Sequence, residues 1–256
     1  MLVWEAHRQL SLSLGDSCGI TNAAIPDGVR YVATLRDALL DRAILTTLQK
    51  INDATISLDR ITKTKVYEAM LPSMITTIAF ALPALDATEN VYHLQFAPGA
   101  TPPVISGGII TGYGNWIPVE LLTVEAQSPT GQRFPIPLKG AVEARALNNS
   151  RSVQLPDAFC EYTSNYIATG NTTGNALLDV FDRKGEIVSG STIYVRYVPL
   201  PRSMGILRAI GPTTPVEFEP TLMSRVIAYA VMYGMTMAQD LDNVGQYMQF
   251  EITGGN

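Results

Sequence analysis

ATLRDALLDRAILTTLQKI, residues 33–51, decides how the first part of the chain is read. Leu35, Leu39, Ala43, Leu48 and Ile51 fall on one stripe of a 3.6-residue period, and Leu40 and Ile44 widen it. Arg36, Asp37, Asp41, Arg42, Gln49 and Lys50 take the other side. The pattern predicts an amphipathic helix from Val32 onward, its stripe on a core and those polar residues facing water.

Toward the N-terminus, residues 15–31 hold Gly15, Gly19, Pro26 and Gly28 and read as a loop. Before it, Val3, Ala6, Leu10 and Leu14 recur at helical spacing, so residues 2–14 are expected to form a short helix. Leu10-Ser11-Leu12-Ser13-Leu14 also alternates, which leaves a strand open there. On the other side a third helix is expected over about 57–71, with Ile61, Tyr67 and Leu71 as its apolar residues and Pro72 as its stop.

The middle changes character. Met74–Leu82, Asn90–Ala97, Pro118–Ser128, Phe134–Leu138, Phe159–Ile167, Ala176–Phe181 and Thr192–Leu200 are rich in Val, Ile, Tyr and Thr and bounded by Gly, Pro and Asn; they read as strands. In the fourth, Phe134, Ile136 and Leu138 alternate with Pro135 and Pro137. Proline donates no ladder hydrogen bond, so this piece belongs at an edge or in an extended arm. GGIITGYGN (107–115) and GNTTGN after Thr169 read as glycine-rich loops.

Helix returns near the end. Pro220 suits a first helical turn, with Glu217 and Glu219 near its positive end. Leu222, Val226, Ala230, Tyr233 and Met237 form a stripe, broadened by Ile227 and Tyr229. Gly234 costs such a helix about 1 kcal/mol relative to Ala, which points to a close helix contact. The order of helices, strands and helix predicts an α+β fold. The expected division is an N-terminal helical part (1–74), an inserted antiparallel β domain (75–204), and a C-terminal helix with its tail (205–256) that packs with the first part as a small bundle.

Charged residues make up 16% of the chain and the net charge is −5. A surface this poor in charge suggests cover by partner subunits. Without a run of Lys or Arg, gripping nucleic acid through its phosphates is disfavoured, although an acidic protein can surround DNA without holding it. Cys18 and Cys160 make no metal-binding pattern, and a reduced compartment is the default. Glu5 and His7 interrupt the N-terminal apolar residues, so no signal peptide is expected, and no window is long and apolar enough for a membrane span. The sequons at Asn148 and Asn171 therefore carry little weight.

Gly15-Asp16-Ser17-Cys18-Gly19 satisfies G-x-S-x-G, the nucleophile elbow of serine hydrolases. That elbow needs a strand before the serine and a helix directly after. Here a helix precedes Ser17 and a loop follows. The histidines, His7 and His93, supply no triad order, so the preferred reading is a glycine ending a helix, followed by an Asp/Ser turn. Residues 240–251 match part of a calcium loop, but Val244 stands where an oxygen ligand belongs, and a polar turn is the simpler reading. Gly107–Gly114 lacks the Lys-Ser/Thr of a phosphate loop. Met223, Met232, Met235 and Met237 read as core or protomer contact. His7 reads as a plain helix-face residue. No catalytic residue, metal or cofactor is expected.

The arrangement of these pieces resembles a known family. A helix ends in Leu14-Gly15-Asp16; a loop closes with Asp27-Gly28-Val29-Arg30-Tyr31; ATLRDALLDRAILTTLQKI follows. GSTIYVRYVPLP (190–201) and EPTLMSRVIAYAVMYGMTMAQDLDNVGQYMQFE come late. This is similar to the head-to-tail connector, or adaptor, proteins of tailed bacteriophages, especially short-tailed ones. It spans about residues 10–55 and 190–250, and the β middle matches only in kind. The resemblance implies a virion neck protein made in the bacterial cytoplasm. Its homo-oligomeric ring, commonly of twelve copies, would sit on the portal protein, extend the channel used in DNA ejection, and receive tail or nozzle proteins. Carried onto this chain, Leu39, Ile44, Tyr229 and Tyr233 would make ring contacts. Tyr247, Met248, Phe250 and Ile252 would form a tail docking on portal or neighbour. Loops 98–117 and 169–175 would face tail or fibre components. The alternatives are a tail-tube, tail-completion or capsid-decorating protein, a small serine hydrolase using Ser17, and a carbohydrate-binding β domain.

Overall fold

The computed structural model describes residues 1–16, 18–86, 90–96, 104–106, 109–111, 118–140, 158–164, 176–183, 185 and 187–237. The fold is α+β, with helices at both ends and two antiparallel-rich sheets between them. It divides into two compact units: Met1–Met74 with the chain from Pro201 onward, and Ile75–Leu200.

In the helical unit, α1 spans Val3–Ser13, so the alternation at Leu10–Leu14 is resolved as helix. Its first amides are satisfied from the other end of the unit: Val3 donates to Thr214 O (2.9 Å) and Trp4 to Pro212 O (3.0 Å). The long helix α2 covers Ala33–Thr55. α3 runs Arg60–Met70, starting at Asp59 because that carboxylate accepts the Ile61 and Thr62 amides (3.0 and 3.1 Å). Of its expected apolar residues Tyr67 and Leu71 are buried, whereas Ile61 is 70% exposed. A short helix not read from the sequence, α4 (Met204–Ile210), is capped by Ser203. A 3-10 turn at Pro220–Leu222 leads into α5, Met223–Met237.

α5 packs along α2. A Cβ on Gly234 would lie 2.9 Å from Leu14 Cδ2 and 3.4 Å from Leu39 Cδ1, so the close approach expected of this glycine is present. Thr46 Oγ1 meets Tyr233 OH at 2.8 Å. The Arg42 guanidinium sits 4.3 Å from the centroid of the Tyr233 ring. Arg202 forms a buried ion pair with Glu217, and Glu219 accepts from Ser73 N and Oγ (3.1 and 2.7 Å). Glu219 stands at the helix start as expected, directly before Pro220, and both glutamates also secure chain crossings. Pro201–Met204 belong here rather than to the β region, because Arg202, Ser203 and Met204 are tied to Glu217, α4 and Asp41.

The β unit contains β1 (Thr76–Ala81), β2 (Val91–Phe96), β3 (Val104–Ser106), β4 (Ile109–Thr111), β5 (Pro118–Gln127), β6 (Arg133–Pro135), β7 (Leu138–Lys139), β8 (Ala158–Ser164), β9 (Ala176–Asp182) and β10 (Thr192–Pro199). One sheet has the order β1-β10-β5-β6 and the other β2-β9-β8-β7, with β3 and β4 paired apart. Every pairing is antiparallel except β7 with β8, which departs from the purely antiparallel domain expected. β3 and β4 fall within 98–117, so that stretch is not loop throughout, nor is 107–115. The proline-alternating segment lies at an edge, as its chemistry requires: β6 ends one sheet and β7 the other. Leu94, Phe96, Val124, Val180, Val195 and Tyr197 share one core cluster, drawn from both sheets. Phe96 packs edge-to-face on Phe80 (5.1 Å, 83°) and on Tyr197 (5.6 Å, 70°).

Candidate functional site

The Gly15–Tyr31 loop is organised by two aspartates. Gly15 has φ +67°, and the Gly15 and Asp16 amides donate back to Leu12 O (3.1 Å) and Ser11 O (2.9 Å), the paired bonds of a Schellman helix end. This turn delivers Asp16, which is buried, to the far end of the loop. Its carboxylate accepts from the amides of Val29 (2.9 Å), Arg30 (3.2 Å) and Tyr31 (2.9 Å). Gly28 is needed there, because a Cβ would overlap Asp16 Oδ2 at 2.0 Å. Asp27 Oδ1 then accepts from Ala33 N (2.7 Å) and caps α2. Gly15-Asp16 and Asp27-Gly28-Val29-Arg30-Tyr31 are therefore two halves of one loop closure. Ser17 itself lies outside the described residues.

Behind the loop lies a buried polar cluster that overturns two expectations. Arg36 and Asp37, expected to face water, are buried, and so is His7, expected on an ordinary helix face. The reason is that Arg36 and Asp37 lie on the buried face of α2 beside Leu40, Ala43 and Ile44, where α1 and the loop supply partners for Arg36 and α4 supplies Arg208 for Asp37. Arg36 Nη1 donates to Tyr31 O (2.8 Å) and Cys18 Sγ (3.1 Å), Nη2 to Pro26 O, and Nε to His7 Nδ1 (3.4 Å). His7 Nε2 lies 3.0 Å from Asp37 Oδ1. Arg208 of α4 places Nε and Nη2 each 2.9 Å from Asp37 Oδ2. One turn along, Asp41 Oδ1 accepts from Met204 N (2.7 Å).

Burial sets the protonation of this cluster. Desolvation lowers the His7 pKa, helped by the charges of Arg36 and Arg208 and opposed by Asp37. Burial raises Asp41 to about 6; the Met204 amide works against this and the Asp37 charge works with it. His7 Nδ1 accepts from Arg36 and Asp37 Oδ2 from Arg208, while His7 Nε2 and Asp37 Oδ1 lie 3.0 Å apart without an aligned hydrogen bond; the cluster reads as a framework joining α1, α2 and α4.

The residues assigned to ring contact are placed differently from expectation. Leu39, Ile44 and Tyr229 are buried within the helical unit, where α2, α5 and the end of α1 occupy them, so they have no surface to offer another copy. Tyr233 is half-buried under Arg42. Tyr247, Met248, Phe250 and Ile252 lie outside the described residues, as does the calcium-like stretch 240–251. Exposed apolar side chains of the helical unit include others: Val29, Leu45, Ile56, Ile61, Ile206 and Ile210, with Leu12 and Met237. An open groove of about 180 Å³ adjoins the α2–α3 corner, lined by Ile51, Ala54, Leu58, Val66 and Met70 with Lys50 and Arg225. Sequence reading missed these because an exposed isoleucine looks the same as a buried one.

Cys18 and Cys160 are not joined in a disulfide. In the β unit His93 Nδ1 meets Asp179 Oδ1 at 2.7 Å on an exposed sheet face. Among the described residues no group of acidic, His or Cys side chains is arranged to hold a metal ion, and no helix is long and apolar enough to cross a membrane. Compared with known proteins, the chain matches no family model and no curated sequence.

Proposed function

We propose that the protein is a structural virion component without enzymatic activity, a ring-forming adaptor that joins portal to tail and extends the DNA channel. One observation carries this reading most. α1, α2 and α5, which include part of each stretch resembling connector proteins, pack against one another although the β unit separates them in sequence. A low charge fraction and exposed isoleucines on the same unit fit repeated contact with further copies. Ile56, Ile61, Ile206 and Ile210 take the protomer-contact role for which the buried Leu39, Ile44 and Tyr229 have no free surface. Many weak contacts around a closed ring add up to a stable collar through multivalency. DNA passes through without sequence-specific binding, consistent with a net charge of −5.

Immunogold electron microscopy of the source phage tests the reading. Label at the vertex where head meets tail supports the adaptor. Label over the capsid or along the tail supports another virion role, and absence from particles sinks both.

A further inference from the structure

We infer that the segment Cys18–Pro26 is an acid-released strap, with the imidazole of His7 as its trigger. This does not rest on the adaptor reading.

The argument starts from which groups give and which accept. A guanidinium only donates and a carboxylate only accepts. His7 stands between one of each, with Arg36 Nε 3.4 Å from Nδ1 and Asp37 Oδ1 3.0 Å from Nε2. The Arg36 contact needs a bare Nδ1, which puts the hydrogen of a neutral ring on Nε2, beside Asp37 Oδ1 but not aligned in a hydrogen bond with it. That ring is neutral. A second proton has to go to Nδ1, where it meets an N–H hydrogen and a like charge. Arg36 must then withdraw.

Arg36 holds both ends of the strap. Nη1 donates to Cys18 Sγ at one end and Nη2 to Pro26 O at the other. Between them Thr21 N donates to Ala24 O (2.9 Å), and Ile20 is the buried apolar anchor. Beyond Pro26 the loop has its own fastening in Asp16, which keeps Val29, Arg30 and Tyr31 in place whatever Arg36 does. Losing Arg36 therefore loosens Cys18–Pro26, which keeps the Ser11 Oγ contact to Cys18 Sγ (3.3 Å) and the buried Ile20, while Val29–Tyr31 stay fastened by Asp16.

The surroundings set the threshold. His7 faces Arg36 and Asp37 of α2 and Arg208 of α4. Its own helix carries Glu5, which accepts from Leu2 N, and Arg8, which is exposed. Asp16 and Cys18 belong to the loop, and Arg225, the charged residue of α5, is exposed. Burial leads this set in resisting the second proton, so release begins below the ordinary histidine range of about 6.5. Asp41, raised to about 6, acts on stability in the opposite sense, so the readout has to be local.

The experiment is NMR on the full chain. The His7 ring nitrogens and the hydrogen exchange of the Ile20 and Thr21 amides are followed from about pH 7.5 to about pH 5. Exchange rates are corrected for their intrinsic pH dependence. The expected result is a neutral Nε2–H ring at the upper pH, then protonation at Nδ1 together with a loss of at least about tenfold in protection of the two amides. His7→Gln, which can accept from Arg36 and donate to Asp37, should keep that protection flat. Three results overturn the inference: an imidazolium at neutral pH with the strap closed, ring protonation that leaves both amides protected, or the same acid-induced opening in His7→Gln. Should His7→Gln not fold, the unmodified protein decides alone. Coincident midpoints for ring and amides support the strap, and separate midpoints overturn it.

Discussion

Between the two sheets of the β unit the core is made of Leu94, Phe96, Val124, Val180, Val195 and Tyr197. In the helical unit, Arg36 stands among the largest fully buried side chains, surrounded by His7, Asp37 and the carbonyls of Pro26 and Tyr31. Apolar burial is non-directional, so the sheets need only the right faces and volumes. The helical unit adds directed contacts, such as those of Arg36 to the Tyr31 and Pro26 carbonyls and of Arg202 to Glu217. Such a unit tolerates fewer changes, because a buried polar group left without its partner carries its full desolvation cost.

The largest expected effect breaks one directed contact. Arg202→Met leaves the buried carboxylate of Glu217 unpaired and should cost about 3–5 kcal/mol in denaturant unfolding. Adding Glu217→Leu should recover most of that loss, since replacing both partners is close to neutral. Phe96→Ala, the matching test in the β unit, should cost about 3–5 kcal/mol by cavity formation, with no comparable rescue from a second site.

Next comes a gain. Asp41 is raised to about 6 in the folded protein, above its unfolded value, so it weakens the fold at neutral pH. That penalty is full above about pH 6 and disappears as pH falls toward the unfolded value near 3.8. Asp41→Asn should therefore stabilise by on the order of 1–3 kcal/mol near pH 7.5 and not at all near pH 4. His7 works in the other direction. Its pKa is lowered on folding, so its contribution is whole above about 6.5 and is lost as pH falls through the folded value. Thermal unfolding against pH should thus be flatter in the unmodified protein than in either Asp41→Asn or His7→Gln.

Smaller still is Gly234→Ala. The new methyl group would press on Leu14 and Leu39, and about 1–2 kcal/mol of overpacking should remain after the gain in helix propensity. Ile61→Ser should change monomer stability by no more than about 0.5 kcal/mol. Its readout is assembly with portal, and a ring that forms undiminished would remove Ile61 from the proposed contact.

The same contrast explains what the sequence could tell. Seven strands and the edge position of the proline-alternating segment were legible, because period-two patterning and proline chemistry are local. Gly234 was legible because a glycine inside an apolar helix has few other uses. The polar cluster was not. Arg36 and Asp37 share the buried face of α2 with Leu40, Ala43 and Ile44, and their polar character reads as solvent-facing until their partners on α1, the Gly15–Tyr31 loop and α4 are placed. Seven residues, MGILRAI, are too few for a periodic signal, although Ser203 before them and Gly211 after them are sound end markers. β3 and β4 were hidden by the glycines around them. Ile61 shows the limit from the other side, since apolar character alone does not say which side of the surface a residue occupies.

The segment Arg133–Lys139 has a consequence for life at high copy number. It closes an edge of each sheet with one run of chain, and Ile136 N spends its hydrogen bond inward on Val124 O (2.8 Å). Pro135 and Pro137 on either side have no N–H to offer outward. Copies crowded side by side would find no continuous row of donors along this margin, and so no template for zipping their sheets into a fibre. Strand pairing between copies is disfavoured along this margin.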